Sequence, residues 1–285
     1  MPLKGMLRIT DFSGSESGNI MAEVHPSAII ASGAVLGEGT SVGPYSIIGP
    51  NVVIGQNCQI GPHVVIEGFT SLGNDNRVFQ FASVGSAPQD LKYKGEQSRL
   101  EIGSRNIIRE YVTLQPGTAG GGMLSKIGDE NLFMVSSHVG HDCRVGDKNV
   151  FANGVALAGH VQVGNGVILG GLSAIHQFVR LGDFALLSGG SMVSQDIPPF
   201  CLAQGDRASL VGLNEIGLKR NGFSEDDIKP LRRAFRILFH DKGPFLERQS
   251  KVEVELGDFS VVRELLAFAR SSERGIASGR RKHSA

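Results

Sequence analysis

Tryptophan is absent from this chain of 285 residues and only 6% of its residues are aromatic, so a core built on large rings is excluded. Glycine fills the gap with 39 residues, which favours a repetitive architecture of small side chains. Cysteine pairs at short spacing are also missing. Cys58, Cys143 and Cys201 form no C-x-x-C motif, which argues against a zinc knuckle or a disulfide framework and suits a reducing compartment. Net charge is zero, from 28 basic and 28 acidic residues, so no strong field attracts nucleic acid or a membrane surface, and any charge recognition must be local. No stretch reaches the roughly 18 apolar residues of a membrane span, and the first 20 residues lack the apolar centre of a secretion signal. A cytoplasmic protein without membrane insertion is expected.

What the sequence does have is a period of six. Aliphatic residues recur from Ile30 through Leu36, Val42, Ile48, Ile54 and onward to Val84, and again from Ile127 through Phe133 and Val139 to Val193. Ile102, Ile108 and Leu114 keep phase between the two arrays. Neither the 3.6-residue helix nor the two-residue strand gives a strict six, whereas the hexapeptide repeat of a parallel β-helix does. Three hexapeptides close one 18-residue triangular coil, and coils stack at about 4.8 Å. Four residues after each aliphatic comes a small or β-branched residue, a position that assigns Cys58 and Cys143 to packing.

The expected architecture is an all-β solenoid plus α. A parallel β-helix spans residues 22–204, with loops ejected near 86–100 and 117–126. Residues 1–21 precede the periodicity and are expected to form a disordered extension. After IPPF at 197–200 the pattern turns helical, and a C-terminal helical domain is expected over 205–274. There Ser224 and Asp227 make a capping-box-like start, and Ile228, Leu231, Phe235 and Leu238 recur at helical spacing. Pro230 lies beyond the first turn, where it would bend this helix or delay its start. Val261, Val262, Leu265, Leu266 and Phe268 predict a last helix, and 275–285 a disordered, solvated tail.

Residues 18 apart lie one above another on such a solenoid. His160 therefore falls over Asp142, and His176 lies two coils beyond Gly140, above the segment HVGHD at 138–142. Four of eight histidines and a carboxylate thus share a stripe about 10 Å tall. A neutral imidazole can take a proton on one nitrogen while a carboxylate orients the other. His141 and Asp142 are chain neighbours, so their partnership requires a corner in the backbone. A trimer of triangular prisms would create grooves between subunits that suit an extended ligand.

The motifs FQFASVGSAPQDLKYKGE at 79–96, HVGHDCRVGD at 138–147, LAGHV at 157–161, AIHQF at 174–178, IPPFCLAQGD at 197–206 and GLNEIGLKRNGF at 212–223 resemble the UDP-N-acetylglucosamine O-acyltransferases, hexapeptide-repeat enzymes of lipid A biosynthesis. The resemblance covers about residues 22–240. It implies a left-handed solenoid, a homotrimer, and transfer of an (R)-3-hydroxyacyl group from acyl carrier protein to the glucosamine 3-position of UDP-N-acetylglucosamine. It implies no metal or tightly held cofactor, since the thioester already supplies an activated acyl group.

Carried onto this chain, the resemblance makes His141 the general base, Asp142 its orienting partner and the Gly159 N–H the oxyanion donor. His138, His160, His176 and Gln177 become substrate contacts in the groove. Asp90 and Lys92 on the first loop become contacts to the sugar nucleotide, reaching into a neighbour's site. Asn214 and Arg220 become contacts to nucleotide or phosphopantetheine. Gly189 matches the position that limits acyl length and, without a side chain, points to a longer chain. The carrier protein is typically acidic, and Lys219, Arg220, Arg232, Arg233 and Arg236 are the expected docking charges.

The chain departs from the family pattern at Gln115, Pro116 and Asn221. These departures leave open a 3-amino sugar acceptor, which would yield an amide. Two other readings compete. His138, His141 and His160 could hold zinc, as in a γ-type carbonic anhydrase. A noncatalytic hexapeptide-repeat protein could merely bind a nucleotide sugar.

Overall fold

The computed structural model describes residues 21–279. Each aliphatic of the repeat becomes the last residue of a strand with its side chain turned inward, the strand being two residues long except at Phe69–Leu72, Arg99–Ile102 and Leu124–Ile127. In Ile47–Ile48 the first side chain is 42% exposed and the second 0%, the alternation that a pleated strand imposes. Three faces result, each a parallel sheet of strands from successive coils. The first face runs through Ser41–Val42 and Gln59–Ile60, the second through Ile47–Ile48 and Val65–Ile66, the third through Val35–Leu36 and Val53–Ile54. Partners such as Ile47 and Val65 are one 18-residue turn apart. The core is the stack of these inward aliphatics, with Phe133 and Phe151 as its largest pair, rings 4.6 Å apart. Cys58 and Cys143 are buried in it, and burial pushes the Cys143 thiol up to about 12, beyond reactive use.

The chain turns most corners through a left-handed residue, for example Tyr45 (φ 58°), Asn57 (φ 55°) and Asp142 (φ 60°), a conformation tolerated because stacking over-determines it. The three edges are built differently. On the edge between first and second faces, Tyr45, His63, Phe81 and Tyr111 form a ladder of stacked rings with centroids 5.1, 5.3 and 5.2 Å apart. On the edge between third and first faces, buried asparagines form a column. Oδ1 of Asn76, Asn106 and Asn131 each accepts, at 2.9 Å, the backbone N–H of the next asparagine, and Asn149 Oδ1 accepts from Val167 N–H at 2.7 Å. Each bond fixes one coil over the next.

The edge between second and third faces carries both ejected loops. One leaves after Ser83–Val84 and rejoins at Arg99–Ile102; the other leaves after Thr113–Leu114 and rejoins at Leu124–Ile127. The sequence runs these loops on to 100 and 126. The returning strands begin earlier, because Leu100 and Ser125 turn inward and are fully buried, which doubles those strands to four residues.

At the C-terminal end Cys201–Gln204 pairs with Leu186–Leu187, and Ser209–Leu213 folds back antiparallel on it, so the first face continues past the expected boundary at 204. Among the described residues four helices follow: α1 (Glu215–Arg220), α2 (Glu225–Phe239), α3 (Phe245–Leu256) and α4 (Ser260–Arg270). α2 starts with a full capping box of Ser224 and Asp227 and runs on through Pro230. Leu231, Leu238, Val252 and Leu265 are buried where α2, α3 and α4 pack together.

The expected solvated tail begins too early at 275. Asp196 N–H donates to Gly275 O (2.9 Å), Ala277 N–H to Asp196 O (3.0 Å) and Leu210 N–H to Ser278 O (2.9 Å), while Ala277 is 1% exposed. Backbone groups left by the last coil find partners in this segment, which is why it docks. Residues 1–20 of the expected extension over 1–21, and the tail from 280, lie outside the described residues. No described helix is long and apolar enough to cross a membrane.

Candidate active site

His141 and Asp142 sit on the corner between Thr113-bearing second face and third face, one coil above the second ejected loop. The left-handed turn at Asp142 swings its carboxylate back toward its neighbour, and His141 Nδ1 lies 2.8 Å from Asp142 Oδ2. A buried carboxylate must be fully bonded or it costs several kcal/mol. Here the Asp142 side chain is 1% exposed. Its Oδ1 accepts the Thr118 N–H at 2.8 Å and its Oδ2 the Thr118 hydroxyl at 2.6 Å. The Asp142 N–H donates to Ser125 Oγ at 2.7 Å. Gly121 lies against the carboxylate so closely that any Cβ there would collide with Asp142 Cγ.

An acceptor at Oδ2 makes His141 Nδ1 the protonated nitrogen and leaves Nε2 with its lone pair. Gly159 packs on that ring: a Cβ at 159 would lie 2.5 Å from His141 Cε1 and 2.6 Å from Nε2. Among the described residues no group accepts a hydrogen bond from the Gly159 N–H. His160 meets the His141 ring edge-on at 5.1 Å, approaches Asp142 Oδ2 to 3.8 Å and stacks on Phe178 at 4.4 Å. Burial lowers the His160 pKa; the Asp142 charge opposes this and His141 adds to it, with smaller opposing contributions from Asp90 and Lys92 on the first loop. Burial also lowers the pKa of His138, followed by the charge of His141.

The structure thus gathers His141, Asp142, Gly159 and His160 at one point, with His176 and Gln177 one coil higher on the same edge. His138 stands on the second face, bonded through Nδ1 to Thr113 Oγ1 at 2.6 Å. Asp90 is half-buried and Lys92 exposed on the first loop, where Lys92 N–H donates to Asp90 Oδ1 at 3.0 Å. Gly189 lies on the edge between first and second faces, and a Cβ there would meet the Gly171 backbone, its O at 3.3 Å and its N at 3.9 Å. Asn214 caps α1, accepting from Gly217 N–H at 3.1 Å and donating to Phe184 O at 3.0 Å, beside the edge between third and first faces, and Arg220 ends the same helix exposed. These last three are not brought to His141 within one chain.

Two of the departures have local work. Asn221 ends α1 by donating to Gly217 O at 2.8 Å, and Gln115 accepts from Gln89 N–H at 3.3 Å, tying the two loops. Glu96 strengthens that tie by accepting the Ala119 N–H at 3.1 Å.

Thr118 and Ser125 escaped the sequence reading because nothing in the repeat marks where an ejected loop folds back. Phe178 was within reach, lying 18 residues past His160. Among the described residues, the cluster with metal-ligand spacing is His141, Asp142 and His160, its atoms within 4.8 Å of one another. It is not the three-histidine set of the zinc reading, and both Asp142 oxygens are already bonded to Thr118 and His141.

Residues 196–277 match the family model for the second domain of UDP-N-acetylglucosamine O-acyltransferase, and residues 21–56 and 33–68 match that for the bacterial transferase hexapeptide. A protein of Myxococcus xanthus (strain DK1622) named acyl-(acyl-carrier-protein)–UDP-N-acetylglucosamine O-acyltransferase is 54% identical over 256 residues, which cover 90% of this chain and 99% of that one. The solved UDP-N-acetylglucosamine acyltransferase of Campylobacter jejuni is 39% identical, with a TM-score of 0.86 over 90% of this chain and 100% of its own. The UDP-N-acetylglucosamine O-acyltransferase of Moraxella catarrhalis RH4 is 40% identical, with a TM-score of 0.80 over 90% and 98%. These likenesses make the solenoid a left-handed β-helix.

Proposed function

The chain belongs to the UDP-N-acetylglucosamine O-acyltransferase family, and on that footing we propose that it moves a 3-hydroxyacyl group from acyl carrier protein to the glucosamine 3-hydroxyl of UDP-N-acetylglucosamine in lipid A biosynthesis. The observation that carries the mechanism is the His141–Asp142 pair locked by Thr118. His141 Nε2 takes the proton of the 3-hydroxyl as that oxygen attacks the thioester carbonyl. The Gly159 N–H, free of other acceptors among the described residues, donates to the developing oxyanion. As the C–S bond breaks, the proton on His141 passes to the leaving thiol. Asp142 stabilises the imidazolium between the two transfers.

We propose a homotrimer as the working form. Outward residues of the second face, including Ile29, Ile47, Val65, Ala156, Ala174 and Met192, carry no charge, whereas Lys126, Arg144 and Arg180 stand on the third. An uncharged wall this long suits burial against another copy. Such packing would bring Gly189, Asn214 and Arg220 toward a neighbour's histidine edge, and the bare Gly189 leaves room for a longer acyl chain. Of the expected carrier-docking charges, Arg232 pairs with Glu215 and Glu225, Arg233 with Glu255 and Lys219 with Glu225. Among the described residues Arg220 and Arg236 have no carboxylate partner and are the better candidates.

The test is an assay with UDP-N-acetylglucosamine and a series of 3-hydroxyacyl carrier proteins, comparing the wild type with His141→Ala and with Arg220→Glu/Arg236→Glu. Transfer that depends on His141, with a raised KM for the carrier in the charge-reversed variant, is the expected result. Full activity without His141 would refute its role as the base, and no transfer by the wild type would return the chain to the noncatalytic reading.

A further inference from the structure

Two imidazoles on the histidine edge are oriented through Nδ1, but by partners of opposite chemistry. His141 Nδ1 faces a carboxylate. His176 Nδ1 faces a guanidinium: Arg274 Nη2 lies 2.8 Å away. A guanidinium has only donors, so at that distance His176 Nδ1 must hold the lone pair and the ring proton must sit on Nε2. The Gln177 carbonyl also lies 3.3 Å from Nδ1 and would ask for the other tautomer. The shorter contact, to a charged donor, decides, because an Nδ1–H could not approach an N–H of Arg274 so closely.

Arg274 is held there by the chain's C-terminal strap. Its Nε donates to Ser194 O at 2.8 Å. Ser272 Oγ donates to Asp196 Oδ2 at 2.7 Å, and Arg180 donates through Nη1 to Ser271 O at 2.9 Å. Asp196 is fully buried and also accepts from Arg180 N–H at 2.8 Å, so the strap is anchored in the last coil. Strap and histidine edge together enclose a cleft of about 450 Å³ lined by His160, Phe178, Arg180, Asp196, Glu273 and Arg274 among others.

We infer that Arg274 is a positioning residue that sets His176 as an Nε2–H donor, so that one edge presents a base at His141 and a hydrogen-bond donor at His176. The group His176 recognises is then an uncharged oxygen acceptor, such as an amide carbonyl or a sugar hydroxyl oxygen, and His176 does not share the proton-abstracting role. For its catalytic consequence this inference rests on the acyltransferase reading; for the tautomer it does not.

The experiment is nitrogen NMR of histidine-labelled full-length protein, with the His176 signals identified by their loss in His176→Ala, run beside steady-state acyl transfer. In the wild type Nδ1 should resonate as an unprotonated nitrogen and Nε2 as a protonated one. Arg274→Met should mix the tautomers and lower kcat/KM roughly tenfold, the worth of one charge-assisted hydrogen bond, while Arg274→Lys restores part of both. The double variant His176→Ala/Arg274→Met should be no slower than His176→Ala. An Nδ1–H ring in the wild type, a tautomer indifferent to Arg274→Met, or a double variant slowed further by the full single-variant factor would each overturn the inference. A protein with the expected tautomer and no acyl transfer would instead count against the acyltransferase reading alone.

Discussion

Two edges of the same prism stack rings one coil apart through left-handed residues, and only one of them is equipped for chemistry. On the first, Tyr45, His63, Phe81 and Tyr111 lie nearly parallel, and His63 has rings for neighbours above and below. On the second, His160 stacks on Phe178 in the same manner, yet His141 beside it is turned edge-on and tied to a carboxylate. The coil geometry is common to both. What differs is the ejected loop, which lays Thr118 and Gly121 over Asp142 and removes that carboxylate from water. The solenoid supplies columns; the loop makes one column reactive.

The sharpest way to break this comparison is to remove a histidine from each edge. His141→Ala should lower the acyl-transfer rate by roughly 10² to 10⁴, the usual worth of a general base, whereas His63→Ala should change it by less than about twofold. Equal losses would mean that stacking, not the carboxylate, matters. Next comes the loop itself. Thr118→Val keeps the backbone donor to Asp142 and deletes the hydroxyl one, so kcat should fall by about 10- to 100-fold, with most activity returning in Thr118→Ser. Phe81→Ser reverses the test: it interrupts the ladder and should cost about 1 kcal/mol of stability, read by denaturant unfolding, without altering kcat.

The smallest effect concerns pH. Burial lowers the pKa of His138 and His160, so above pH about 6.5 folded and unfolded states are both neutral there. As pH falls below that value the unfolded chain takes up protons that the folded state resists, and stability drops until the folded pKa values are passed. The thermal midpoint should therefore fall between pH 7.5 and pH 5.5, and His138→Asn should flatten the slope.

The period of six made the faces, the coil length and the vertical alignment of residues 142 and 160 legible, because a solenoid turns sequence distance into height. The partnership of His141 with Asp142 was readable only as a demand for a corner, which the left-handed turn at Asp142 meets. Thr118 was not readable, since a loop outside the repeat obeys no spacing. Arg274 was hidden for another reason: its segment is polar and charged, as a solvated tail is, and only the unpaired backbone of the last coil draws it in. The helical domain showed its capping box and two amphipathic helices but not α3, whose buried face is reduced to Gln249, Val252 and Leu256.

The asparagine column sets a rule for how this chain can vary in length. Its rungs run from Asn76 to Asn106, to Asn131, to Asn149, bridging 30, 25 and 18 residues with the same bond. The rungs register only where a strand returns and ignore whatever the chain does beyond the walls in between. Insertions at the corner that already extrudes loops are thus invisible to the column, while six residues added inside a coil would rotate every later side chain onto a different wall. New specificity can accumulate at that corner by indel without disturbing the shaft that carries it.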